Sequence, residues 1–310
     1  MSVFVVTRDG LVRLRRDGGD WSARPALGSV AAQCVATAGT RVLVGTRGRG
    51  ALTSDDAGET WEPVALPEAD VSAVAIGPAD GALYAGTEPS RLFVARDGAR
   101  WEELEALQDI PSRSQWSYPP RPWTHHVRWI APDPHRAERL LVGIELGGLM
   151  VSEDGGATFS DHRPGAKRDA HELAWHPRVP DRAYQAAGDG AAWSRDGGRT
   201  WEAIDAGRDL RYCWALAVDP VDPERWYVSA ASGPGAAHAG ARARGRLYRW
   251  AGSWQPLDLA PDSMPYALAA TDGQLLAGSA DGRVLHSADR GETWDESGLR
   301  VGAISAMAAG

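Results

Sequence analysis

The sequence predicts an all-β fold, a seven-bladed antiparallel β-propeller, on three observations. The first is a repeated phrase. Ser54, Asp56, Gly58, Thr60 and Trp61 return as Ser152, Asp154, Gly156, Thr158 and Phe159, as Ser194, Asp196, Gly198, Thr200 and Trp201, and as Ser287, Asp289, Gly291, Thr293 and Trp294. Worn copies stand at Asp17 to Trp21 and Asp97 to Trp101, with a remnant at Ala251 to Trp254. The second is the period. The aromatic anchors fall at 21, 61, 101, 159, 201, 254 and 294, spaced by 40, 40, 58, 42, 53 and 40, and a period of about forty residues marks a propeller or solenoid. The third is that each repeat divides into short apolar segments separated by turn residues, the pattern of four antiparallel strands.

The chemistry of one phrase explains its recurrence. An Asp in a tight turn accepts hydrogen bonds from the backbone N–H groups ahead of it, Gly takes the positive φ the turn requires, and the aromatic packs beneath. On these residues the chain resembles the Asp-box, or BNR-repeat, propellers: sialidases, xyloglucanase-type hydrolases, sortilin-like domains and photosystem assembly factors. The resemblance implies that the boxes sit on the face away from any ligand and that their four aspartates are structural. It covers both enzymes and binding scaffolds, so it leaves function open. Sialidases have six blades, an arginine triad and a Tyr–Glu pair. Tyr266, Glu172 and Arg128 match fragments of that set, but the Arg-Ile-Pro motif is absent and true sialidase activity is not expected.

Composition narrows the classes further. With 310 residues and 43% hydrophobic content, the chain is expected to form a single domain, 1–310. A net charge of −8 and the lack of a basic run with interleaved aromatics argue against nucleic acid. No apolar run approaches membrane-spanning length, and the first ten residues read as a strand and turn instead of an export signal. A cytoplasmic monomer is the expectation. Cys34 and Cys213 fall in separate apolar strand contexts, which favours buried free thiols over a disulfide.

With strands lettered A to D from the axis outward, the N-terminus supplies only B (3–8), C (11–15) and D (after Trp21). The missing A strand is Gly302 to Met307, so both termini share one blade and close the ring. The second blade has A at 31–37, B at 41–45 and C at 49–54. The third has A at 71–77, B at 82–87 and C at 90–95. A segment with four Pro, 105–124, then intervenes and cannot be a sheet strand. A strands follow at 126–131 and 170–175, with B strands at 139–145 and 182–187. The sixth blade has A at 211–218 and B at 225–231, then the insertion 232–245. The seventh, 264–297, is regular. By strand order both insertions emerge where A strands begin, opposite the boxes, and loops that grow on one face of a repeat scaffold commonly carry function.

Aligned on their buried aliphatic residue, the A strands give an apolar ring of Val35, Val74, Ile130, Leu173, Leu216, Leu268 and Met307. Two residues earlier the ring is Gln33, Ser72, Arg128, His171, Trp214, Tyr266 and Ser305, polar and suited to lining an axial pocket. Glu172 and Trp129 stand between the rings; His126, Asp169 and Tyr212 lie one step nearer the mouth. The candidate catalytic groups are His171, Glu172, Arg128 and Tyr266: an imidazole and a carboxylate for acid–base work, and a guanidinium for an anionic group. The candidate ligand-binding residues are Gln33, His126, Trp129, Asp169, Tyr212 and Trp214, with Trp116, Tyr118 and Trp123 of the long loop offering flat faces. The leading expectation is a small polar or anionic, sugar-like ligand, with hydrolase- or lyase-type chemistry compatible with the set. The alternative is a protein-binding or assembly scaffold, with the loop aromatics as anchors. The sequence requires no cofactor. A divalent metal on His126 and His171 is a third reading; His125 and His126 point to opposite faces of one strand, so only one of them can join His171.

Overall fold

The computed structural model describes residues 1–257, 259 and 263–310. Seven antiparallel sheets stand around a central axis. Each innermost strand abuts the next in a closed cycle, and Ile304–Ala309 lies between the A strands of blades 7 and 2. In the first blade Ile304–Ala309 pairs with Ser2–Thr7, which pairs with Gly10–Asp17 and then Asp20–Gly28. The ring is therefore closed by strands from both ends of the chain, as the repeat count requires. Second strands such as Arg41–Thr46 and Leu140–Ile144 are apolar almost throughout, because they are sandwiched between neighbouring blades and bury both faces.

The A strands are Ala32–Ala38, Val71–Ile76, Val127–Pro132, Ala170–Trp175 and Tyr212–Val218, each within a residue or so of its expected span, and Pro265–Thr271 in the seventh blade. Segment 105–124 forms two short 3-10 turns, Glu105–Asp109 and Pro111–Gln115, and no strand. The insertion 232–245 holds a single helical turn, Pro234–Ala237, and a 3-10 turn, Gly240–Arg242. Blade 4 departs from the four-strand expectation. Val127–Pro132, Leu140–Ile144 and Gly148–Ser152 form a three-stranded sheet, and the fourth position is reduced to one bridge between Val151 and Ser160. The cause is the next residue: Asp161 accepts hydrogen bonds from the Ser112 amide and hydroxyl, so the long insertion draws the chain out of the ladder.

The four full boxes are built alike. In the first, Asp56 Oδ1 accepts from the Thr60 amide at 2.9 Å and the Ser54 hydroxyl at 2.8 Å, while Oδ2 accepts from the Thr60 hydroxyl at 2.6 Å. Asp154, Asp196 and Asp289 repeat this set. The box turns are stapled to the A–B turns of their own blades through Ala57 N to Thr40 O, Gly155 N to Glu138 O and Gly197 N to Asp181 O. They therefore lie on the face opposite the starts of the A strands. Both cysteines are free, Cys213 buried and Cys34 partly so. Among the described residues no helix is long and apolar enough to cross a membrane.

Every A strand carries a β-bulge at the same place. In the second blade Ala32 pairs with Thr46 and Cys34 with Gly45, leaving Gln33 as the extra residue. The extra residue is Ser72, Arg128, His171 and Tyr266 in four other blades. In blade 6 it falls within Trp214–Ala215, and in blade 1 it is Ser305. Opposite several bulges stands a glycine that lets the next blade approach. A Cβ on Gly86 would lie 2.4 Å from Val127, and one on Gly278 2.8 Å from Ile304.

Two outcomes follow from this packing. Gly86→Ala overpacks the seam between blades 3 and 4 and lowers unfolding free energy by about 1–3 kcal/mol in denaturant titration; an unchanged midpoint contradicts the seam. In the box, hydrogen bonds from the Thr293 hydroxyl and then its amide hold Asp289 at about 2, below the roughly 3.9 of an unfolded Asp. The depressed value means the contribution is present above about pH 4 and lost as pH falls through about 2. Asp289→Ala therefore lowers the melting temperature at pH 7, with the gap to wild type closing towards pH 2. A gap of equal size at both pH values contradicts the bond pattern.

Candidate functional site in the axial channel

The bulges decide what lines the axis. An extra residue breaks the two-residue alternation of a strand, so three consecutive residues of a single A strand reach the channel. Gln33, Cys34 and Val35 do so together, as do Arg128, Trp129 and Ile130. All seven members of the polar ring line it, and Glu172 joins them from the intervening position. Of the aliphatic ring, Leu173 and Leu216 do not reach this lining. The channel holds about 60 Å³. On the mouth side, Gln33, Tyr266 and Ser305 also border a wider open funnel of about 400 Å³, with Arg8 and Arg47 in its wall.

Part of the polar ring ties blades together. Gln33 Nε2 donates to Val71 O at 3.2 Å, Ser72 Oγ to Val127 O at 2.8 Å, and His171 Nδ1 to Cys213 O at 2.6 Å. These three carbonyls occupy equivalent positions in the following blades. Glu172 Oε2 accepts the Leu216 amide at 3.0 Å, just past the bulge of blade 6. Burial pushes the Glu172 carboxyl up to about 8 against that bond. Burial likewise raises the Cys34 thiol to about 12, which leaves it unreactive.

The remaining ring residues form a different assembly. Arg128 stacks over Trp214 at 5.4 Å, and Trp214 contacts Tyr266 at 5.0 Å and His171 at 4.8 Å between centroids. Arg128 Nε lies 3.4 Å from Glu145 Oε2, and His126 Nε2 lies 3.0 Å from the same oxygen. Among the described residues, the terminal nitrogens Nη1 and Nη2 of Arg128 make no hydrogen bond. Asp169 Oδ1 approaches His171 Nε2 at 3.6 Å, and Tyr212 Oη approaches it at 3.5 Å. The Asp169 carboxylate rests on Gly188, where a Cβ would lie 1.8 Å from Oδ2.

Environment separates the two carboxylates. Burial, then the Glu145 charge, push Asp169 up to about 7. Burial also opposes ionisation of Glu145, but the His126 bond and the Arg128 charge overcome it and hold that group at about 2. Burial and the Arg128 charge draw His171 down to about 4, so its ring is neutral at physiological pH.

The structure thus brings together Arg128, His171, Glu172, Tyr266, Gln33, Trp129 and Trp214 around the channel, with Asp169, Tyr212 and His126 at its mouth. The Arg128–Glu172 pairing that equivalent positions allow does not form; Arg128 turns to Glu145 instead. Glu145 is the residue that strand-A alignment overlooked. It stands just past Leu140–Ile144, at the mouth end of a B strand, and aligning those ends yields a charged rim of Arg8, Arg47, Glu88 and Glu145. Of the loop aromatics, Tyr118 packs edge-on to His126 at 4.7 Å beneath Arg121, which pairs with Glu88. Trp116, only 6% exposed, fills the core with Leu107 and Ile110 and offers no face to a ligand. Trp123 is 79% exposed. Tyr266 donates its hydroxyl to Ala237 O, and His238 packs on Trp214, so the insertion 232–245 also covers the mouth.

The class this defines is a seven-bladed β-propeller with a polar axial channel. No protein-family model matches the chain, and no curated protein does. Solved structures do. A structure described as YCF48 bound to D1 peptide is 16% identical with a TM-score of 0.62, covering 91% of this chain and 86% of its own. YCF48 from Cyanidioschyzon merolae is 14% identical with a TM-score of 0.60, covering 88% and 87%. An ancestral GH74 enzyme is 16% identical with a TM-score of 0.64, and the match covers 85% of this chain but 37% of the enzyme. At such identities the likeness is one of fold, and the chain spans about a third of the length of that enzyme.

The two tryptophans of the long insertion separate its roles. Trp116→Ala is expected to cost about 3–5 kcal/mol, as for a buried aromatic, and Trp123→Ala to stay within about 0.5 kcal/mol. Equal effects in urea titration contradict the placement.

Proposed function

We propose that the protein binds a small anionic ligand of the carboxylate class, which enters by the Arg8 and Arg47 funnel and seats its charged end on Arg128. The observation that carries this reading is the Arg128 guanidinium, held over Trp214 with both terminal nitrogens unpaired at the channel. Such a fork suits a carboxylate bidentately. The channel is narrow, about 60 Å³, which suits a small acid. The reading is one of binding; His171 Nδ1 and Glu172 Oε2 serve backbone partners. The repeated Ser–Asp–Thr bonds of the hairpins support counting the chain among Asp-box propellers, with the site on the face away from the boxes.

A protein-binding scaffold is the second reading. The exposed Trp123 of the long insertion favours it, and one similar fold is described as bound to a peptide.

The test is thermal unfolding with acetate, malonate, phosphate and neutral sugars, on wild type and Arg128→Ala. A carboxylate at about 100 times its Kd stabilises wild type by about 2.7 kcal/mol and leaves Arg128→Ala unmoved. Equal shifts in both proteins, or none in wild type with any anion, overturn the reading.

A further inference from the structure

We infer that His171, Asp169 and Glu145 form a binding site for one divalent transition-metal ion at the channel mouth, with Tyr212 beside the open position. The site joins the end of one B strand to the A strand of the next blade, and neither His126 nor a second histidine is needed.

The orientation of His171 carries the argument. Its Nδ1 lies 2.6 Å from Cys213 O. A carbonyl only accepts, so the ring proton is on Nδ1 and Nε2 presents a lone pair. That lone pair, on a side chain 1% exposed, faces Asp169 Oδ1 at 3.6 Å, beyond hydrogen-bond distance. The Tyr212 hydroxyl at 3.5 Å is at the limit of hydrogen bonding. A backbone carbonyl fixing the far nitrogen of an imidazole is the usual support of a metal-binding histidine.

The three groups converge closely enough for an ion to draw them together, with Glu145 making the larger adjustment. One ligand atom from each of Glu145, Asp169 and His171 lies within 4.8 Å of the others. Tetrahedral bonds of about 2.0–2.1 Å place ligand atoms about 3.3 Å apart, so His171 and Asp169 need close by only a few tenths of an ångström. Glu145 is oriented by His126 and Arg128, a second shell that holds its carboxylate at the site. One imidazole with two carboxylates suits zinc, iron or manganese. The two carboxylates offset the charge of the ion, which leaves Arg128 available to an anion in the channel.

The inference goes beyond the anion reading and does not depend on it. Full-length protein stripped with chelator is titrated with Co²⁺ and Zn²⁺, following calorimetry and the visible absorption of Co²⁺. The expected result is one equivalent bound, with affinity reduced more than about 100-fold in His171→Gln and in Asp169→Asn, beyond the loss typical of an outer-shell partner. Asp169→Asn preserves shape, so it decides the matter if His171→Gln unfolds. Arg128→Ala is expected to keep one equivalent of metal, at an affinity reduced by no more than about 100-fold, while losing the anion-dependent thermal shift. No binding by wild type, or undiminished binding in Asp169→Asn, overturns the site. Metal binding without any anion shift removes the anion reading alone, and an anion shift without metal removes the ion alone.

Discussion

The bulge in each innermost strand is the constraint on which the rest of this molecule depends. Seven strands crowd one axis, and regular alternation would turn every second side chain back into its own blade. One extra residue per strand breaks that alternation, bends the strand and turns an additional side chain towards the axis. The same bulge frees a backbone amide or carbonyl that must find a partner. In blades 2, 3 and 5 the bulged side chain supplies one by reaching the carbonyl of the next blade. The polar ring is thus first a set of seams, and glycines opposite the bulges let those seams close.

The candidate site arises where that device stops. Arg128, Trp214 and Tyr266 occupy bulges in blades 4, 6 and 7, yet none of them reaches the following carbonyl. They stack on one another instead, and His171 serves both arrangements, tying blade 5 to blade 6 through Nδ1 while Nε2 faces the mouth. The Arg128 side chain keeps 23% of its surface exposed, and apart from the 3.4 Å contact of Nε with Glu145 its guanidinium faces the channel. A seam residue has its bonds satisfied within the fold. Arg128 does not, and this asymmetry separates recognition from architecture on one ring.

Much of the fold was legible because its repeat is chemical as well as periodic. Ser, Asp, Gly and Thr at set offsets define one hydrogen-bonded turn, so four copies locate four hairpins, and strand order then assigns the insertions to a face. The three-stranded blade was not legible, since its box at Ser152 to Phe159 is intact and the disruption comes from Ser112, some forty residues earlier in the chain, capturing Asp161. Trp116 was misleading for a related reason. An aromatic in a Pro-rich segment reads as exposed, whereas Leu107 and Ile110 fold that segment onto the core between blades 3 and 4.

Glu145 shows where one-dimensional reasoning stops. Aligning A strands recovers residues that share a strand position, and the channel lining follows from it. The mouth, however, is built from A-strand starts together with B-strand ends, and the rim contributed by the latter runs Arg8, Arg47, Glu88, Glu145, Gly188, Ser232 and Ala280. The charged members fall in four consecutive blades; Arg47 donates to Gln33 of its own blade and Glu88 pairs with Arg121 of the long loop. Only Glu145 stands next to a blade whose own rim residue is glycine. Gly188 leaves space that the Asp169 carboxylate fills, which brings two acids and an oriented imidazole to one point. A larger side chain at 188 would push Asp169 away and leave Glu145 to Arg128 and His126 alone. The smallest residue of the rim therefore determines where its charges converge.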